Sequence, residues 1–218
     1  FCLSRGLGDV YKRQDYEGGD IYSQVLYGAR IMVMFSFPIA ALAVLIGFPL
    51  GFTAGHFKGW IDNIIMTFVD TVLYIPILPF FLMVIALFAS WSSQTIFVWI
   101  LLFSALSTLA FRNSHMLRSS KQNPEKNNQE NHILRLTKNA IANFCLLIVS
   151  ITLLLPSIEY LGFWDPRVMS WGRIIYSVVH IGGSAQLRIN WWWFGAPAVC
   201  IILFALGSFM LGSALDED

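Results

Sequence analysis

The side chains able to do chemistry are few and scattered along this sequence. Four histidines, His56, His115, His132 and His180, lie far apart, with no His/Cys/Glu clustering at the spacing a metal site needs. No glycine-rich loop runs into Lys-Ser or Lys-Thr, so nothing here cradles a nucleotide phosphate in that way. No serine stands in a nucleophile elbow. Cys145 and Cys200 lie inside apolar runs and read as small lipid- or core-facing residues, and Cys2 completes no disulfide framework. The chain is therefore expected to be no enzyme, with no catalytic residue, metal or cofactor of its own. Asp70 is the exception worth weighing. It is the only acid near the interior of an apolar stretch, where a carboxylate is a candidate ion site. It also lies near Asp62 and Lys58, so a boundary residue satisfied by polar neighbours is an equal reading.

The elements that would hold such residues follow from where charge is missing. Of 218 residues, 56% are apolar and 12% charged, and the charges are bunched. Residues 31–57, 71–111, 139–158 and 189–215 carry no Asp, Glu, Lys or Arg, and together they are over half the chain. Crossing about 30 Å of hydrocarbon takes roughly 20 mostly apolar residues. This pattern excludes a water-soluble globule, a disordered chain and a disulfide-rich secreted module. A net charge of +1 leaves no basic stripe for nucleic acid. The fold expected is an all-α polytopic membrane bundle in the plasma (inner) membrane.

Five spans can be placed, at about 31–52, 65–88, 96–111, 140–158 and 193–215. The run at 71–111 is too long for one crossing at about 1.5 Å per residue, and the polar Ser90–Thr95 stretch divides it. Backbone groups in hydrocarbon must be bonded within their own segment, so the spans are helices. All eight tryptophans fall outside the spans or near their ends, as headgroup-seeking indoles would. One face of the bundle holds 56–63, 112–138 and the C-terminus, with Lys/Arg at 58, 112, 118, 121, 126, 135 and 138. The other holds 15–30, the Ser90 turn and 159–190, with Arg30, Arg167, Arg173 and Arg188. The richer face is expected to be cytoplasmic. Residues 15–30 are then an extracytoplasmic lead-in, 31–218 the transmembrane domain, 112–138 a cytoplasmic loop and 159–190 an extracytoplasmic one.

Further features bear on packing and partners. Gly47, Gly51 and Gly55 recur every four residues and line one helix face, where another backbone can approach closely. That seam serves either a partner subunit or packing within the chain. Pro38, Pro49, Pro76, Pro79 and Pro156 point to irregular helices. Residues 113–132 are mostly Asn, Gln, Ser, Lys and Glu, present no apolar face, and read as a solvated loop or short interaction helices. Between 170 and 180 a short helix is expected, with Ser170 as its N-cap.

In their order these landmarks resemble one family, the inner-membrane permease subunits of ATP-binding-cassette importers, in the dipeptide/oligopeptide/nickel branch. Asp15, Gly19, Asp20, Ser23 and Tyr27-Gly28-Ala29-Arg30 resemble the entry to that branch's second span. Pro49-Leu50-Gly51, Ala54-Gly55, Gly59, Asp62, Met66, Asp70 and Pro76 follow at the family spacing. Leu161-Gly162, Pro166 and Ser170-Trp171-Gly172 look like its extracytoplasmic segment, and the resemblance covers roughly 15–215.

The resemblance implies six spans in the intact subunit, so the first is expected to be missing here. Residues 1–14 resemble a translated adaptor sequence and are expected to be non-native. It also implies a second homologous permease, two cytoplasmic ATPases, an extracytoplasmic substrate-binding protein and a lipid bilayer as partners. The implied function is import of peptides or related small solutes by alternating access, with ATP hydrolysed elsewhere. Ser170, Trp171 and Gly172 would lie at the extracytoplasmic mouth, facing the binding protein; the rival is an interfacial helix held by Trp164 and Trp171. One departure stands out. The family's Glu-Ala-Ala and following Gly are absent from 121–138, leaving Arg118, Lys121, Glu125, Glu130 and Arg135 as candidates for ATPase coupling. Two alternatives follow: a degenerate copy that no longer couples, or a secondary transporter or channel fragment using Asp70.

Overall fold

The computed structural model describes residues 18–56, 60, 63–64, 67, 71, 74, 79, 83, 104, 129–162, 168–180 and 191–217. Four helices run through them: α1 (Ile21–His56), α2 (Gln129–Tyr160), α3 (Trp171–His180) and α4 (Trp191–Glu217). Stretches of three are long and apolar enough to cross a membrane: Ile21–Pro49, Thr137–Tyr160 and Trp191–Leu215. The expected spans at 65–88 and 96–111 fall outside the described residues, apart from single helical positions such as Thr67 and Thr71.

Two of the helices outrun the charge-free blocks that located them. α1 begins at Ile21, ten residues before its uncharged run, so most of the lead-in at 15–30 is helical. Asp20 starts it. Its Oδ2 accepts the Ser23 backbone N–H at 3.1 Å and the Ser23 hydroxyl at 2.6 Å, filling the place of an N-cap. With 36 residues α1 is about 54 Å long, well beyond the hydrocarbon, so its ends continue into the polar region. α2 likewise starts at Gln129, which puts 129–138 on a helix rather than in the loop expected there. It stops at a glycine. Gly162 adopts φ 84° and donates its N–H to the Glu159 carbonyl at 3.0 Å, a left-handed termination that a side chain would oppose.

The described residues form two compact units, drawn from Phe1–Ser36 with Thr152–Leu206 and from Phe37–Ile151 with Gly207–Asp218. The first buries Ile21, Met32 and Ser36 of α1, Leu155, Ile158 and Glu159 of α2, Trp171, Ile174 and Val178 of α3, and Trp193 of α4. The Ser36 hydroxyl donates to the Met32 carbonyl at 2.7 Å, which satisfies it inside its own helix. In the second unit, Ile39, Ala40 and Ala43 are buried on α1, and Asn139, Ala142, Asn143, Leu147, Ile148 and Ile151 on α2. Asn143 donates to the Asn139 side-chain oxygen at 3.3 Å. Phe37 meets Phe144 edge-on at 5.8 Å. A Cβ on Gly212 of α4 would stand 3.2 Å from the Cys145 Cβ and 3.3 Å from the Ala142 carbonyl, so the small residue permits that approach.

Candidate functional site

The site that the described residues assemble lies at the first turn of α3. Three consecutive residues, Ser170, Trp171 and Gly172, each do something different there. The Ser170 Oγ accepts the Arg173 N–H at 3.3 Å and its carbonyl accepts the Ile174 N–H at 3.0 Å, which makes it the N-cap its type predicts. Trp171 is only 3% exposed, and its Nε1 donates to the Val25 carbonyl on α1 at 2.8 Å. Its ring fits because position 28 is glycine: a Cβ there would fall 2.5 Å from the indole Cδ1 and 3.1 Å from the Trp171 backbone nitrogen. Phe204 of α4 meets the indole edge-on at 6.4 Å.

Gly172 faces the other way, onto α2. Its N–H donates to Oε2 of Glu159 at 3.1 Å, and the Ser170 hydroxyl supplies a further hydrogen bond to that carboxyl. A Cβ on Gly172 would lie 2.5 Å from both the Glu159 Cβ and the Pro156 carbonyl oxygen, so only glycine fits this contact. Glu159 is fully buried, and its Oε1 has no hydrogen-bond partner among the described residues. The acid takes the position where a helix N-terminus presents free N–H groups and favours negative charge.

The outer side of α3 is different in kind. Arg173 lies over the Tyr176 ring at 4.7 Å, and Tyr176 stacks on His180 at 4.1 Å. Tyr160, at the end of α2, is 5.8 Å from the same imidazole. These side chains run along the helix at i, i+3 and i+7, while Trp171, Ile174 and Val178 occupy the buried side. Among the described residues no three His, Cys, Asp or Glu side chains gather as metal ligands would.

The structure corrects two readings of the sequence. Asp70 is not the only acid to weigh near a span: Glu159 lies in the last turn of α2, inside the apolar stretch ending at Tyr160, and it is wholly buried. The charge-free run stops one residue before it, so only the contact with residues 170–172 reveals it. Trp171 and Trp193, each 3% exposed, are packed inside protein rather than held at a headgroup layer, which removes Trp171 as an interfacial anchor. Trp164 lies outside the described residues.

Of the other candidates, Gly47 is buried on α1, and Gly51 and Gly55 lie on the same helix. Glu130 and Arg135 are in the first turns of α2. Asp70, Arg118, Lys121 and Glu125 lie outside the described residues. Sequence reasoning missed Glu159 and Val25, and it noticed Gly28 only as a landmark. A glycine within an otherwise bulky helical run was the available signal.

Comparison with known proteins bears on the whole chain. Residues 47–125 match the family described as "Binding-protein-dependent transport system inner membrane component". The match ends inside the 112–138 segment, where the expected coupling motif is absent. The chain is 27% identical over 173 residues to the glutathione transport system permease protein GsiD of Pectobacterium atrosepticum, covering 74% of this chain and 57% of that protein. It is 26% identical over 215 residues to the dipeptide transport system permease protein DppC of Alkalihalophilus pseudofirmus, covering 92% and 68%. Against the peptidoglycan transport system permease protein YejE of Agrobacterium fabrum, identity is 25% over 188 residues, covering 81% and 48%. The chain thus spans about half the length of the Pectobacterium and Agrobacterium proteins. Three membrane-length helices, the matched segment and these relatives agree with the resemblance read from the landmarks: this is a multi-pass membrane protein similar to permease proteins named for glutathione, dipeptide and peptidoglycan transport.

Proposed function

We propose that this chain forms half of the translocation path of an ATP-driven, binding-protein-dependent importer for peptides or related small solutes. The observation that carries the reading is the match of residues 47–125 to the inner-membrane component of such systems. A second homologous permease supplies the other half. Two cytoplasmic ATPases hydrolyse ATP, and this chain contributes the alternating element without catalysing a reaction. A substrate-binding protein delivers the solute at the face where α3 lies, with Ser170, Trp171 and Gly172 seating that helix. The inner membrane is the site of action.

Coupling to the ATPases runs through residues 112–138, with Arg118, Lys121, Glu125, Glu130 and Arg135 supplying contacts in place of the family's Glu-Ala-Ala pattern. The experiment is co-expression of this chain with a homologous permease, two ATPases and a substrate-binding protein, followed by uptake of labelled dipeptide and co-purification. Uptake that needs ATP, and ATPase association lost when 113–132 is replaced by a Gly/Ser linker, are the expected results. Uptake that persists without the ATPases and follows an ion gradient would reject the reading in favour of a secondary transporter using Asp70.

A further inference from the structure

Two successive residues fasten α3 to two different helices. Trp171 reaches α1 through its Nε1 bond to Val25 and its fit against Gly28. Gly172 reaches α2 through its N–H bond to Glu159 and its backbone contact with Pro156. Neighbouring positions on a helix point about 100° apart, so the two attachments oppose rotation of α3 about its own axis as well as its departure. Both are close contacts with backbone, which has no alternative rotamer to adopt. A third attachment lies one turn on, where a Cβ at Gly162 would stand 3.4 Å from the Tyr176 ring. Among residues whose burial is described, Glu159 is the only buried acid, and it carries one oxygen without a partner. A buried carboxyl half-satisfied in this way is costly to keep, so its retention calls for a job.

We propose that Glu159 and Trp171 are the two jaws of a clamp that makes α3 one rigid body with residues 18–36 of α1 and 152–162 of α2. On this proposal α3 is a fixed projection of those helices and not a lid that opens by itself. The accepting oxygen of Glu159, rather than its charge, closes the second jaw. The inference goes beyond the importer reading and does not depend on it, since the contacts lie within this chain.

The test uses the full chain in nanodiscs, with native cysteines replaced by alanine and spin labels at Tyr22→Cys and His180→Cys. Both positions are exposed, one on α1 and one on α3, and neither forms part of the clamp. Pulsed electron–electron resonance then reads the distance between the labels. A single narrow distribution is expected, retained in Glu159→Gln, which keeps an accepting oxygen, and broadened or split in Glu159→Leu, which has none. A broad distribution in the parent chain, or a narrow unchanged one in Glu159→Leu, overturns the proposal. Should Glu159→Leu fail to fold, Gly172→Ala takes its place: its methyl collides with α2, so an unshifted distance there is equally fatal. Failure of ATP-dependent uptake would remove the importer reading and leave this measurement standing.

Discussion

Replacing Gly28 by alanine sets two known effects against each other, and the contact with Trp171 decides the sign. Alanine is favoured over glycine in a helix interior by about 1 kcal/mol, so an unobstructed Gly→Ala change stabilises. At Gly28 the new methyl would fall 2.5 Å from the indole Cδ1, 3.0 Å from its Nε1 and 3.1 Å from the Trp171 backbone nitrogen. The indole cannot swing aside without losing its bond to Val25, and the backbone nitrogen cannot swing at all. Overpacking of this kind costs about 1–3 kcal/mol, and the lost hydrogen bond about 1 kcal/mol more. Gly207 of α4 supplies the control, because a Cβ there meets nothing within 4 Å. The helix-propensity gain is common to both variants, so their difference isolates the contact: Gly28→Ala should be less stable than Gly207→Ala by about 2–4 kcal/mol. Graded SDS unfolding in mixed micelles, followed by far-UV circular dichroism, measures it. Equal stabilities, or a Gly28→Ala chain more stable than the parent, would refute the packing described around Trp171.

Three further outcomes follow from the same geometry. Trp171→Phe keeps a ring in the pocket but loses the donor to Val25, so it should destabilise by about 1 kcal/mol in the same titration, a smaller loss than Gly28→Ala. Removing the cap of α3 with Ser170→Ala should cost about 1 kcal/mol and speed amide exchange in 171–174, read by hydrogen–deuterium exchange, with α4 exchange unchanged. Gly212→Ala brings a methyl to 3.2–3.3 Å of Cys145, Ala142 and Leu146, a tighter fit than usual but not a collision. Its cost should therefore fall between those of Gly207→Ala and Gly28→Ala.

How far the sequence could be read depended on the range of the interaction. The three membrane-length stretches among the described residues were legible because solvation by hydrocarbon acts on each residue locally, and the Ser170 cap because its side chain bonds a neighbour three residues on. Helix ends were not. A run without charge marks the width of the hydrocarbon, whereas backbone hydrogen bonding continues into polar residues, as it does from Ile21 to Arg30 and from Gln129 to Lys138. Glu159 was hidden for a different reason. Next to Tyr160 and Leu161 it looks like an ordinary boundary acid, and its burial depends on Gly172, which is 13 positions away. Trp171 misled by type, since an indole at a span end serves equally well as a headgroup anchor or as a wedge between helices. Only the glycine at position 28, 143 residues earlier, distinguishes them.

The even apolarity of α4 has one more consequence. Residues 191–215 carry no charge on any side of the helix, and the exposed side (Val199, Leu203, Leu206, Met210) and the buried one (Trp193, Ala205) are both apolar, so either is at home among acyl chains. Polarity therefore gives α4 no preferred azimuth. Shape has to provide it, through notches such as Gly212. Shifting that glycine by a single position would turn the notch by about 100°, leaving composition and hydropathy untouched while aiming the helix elsewhere.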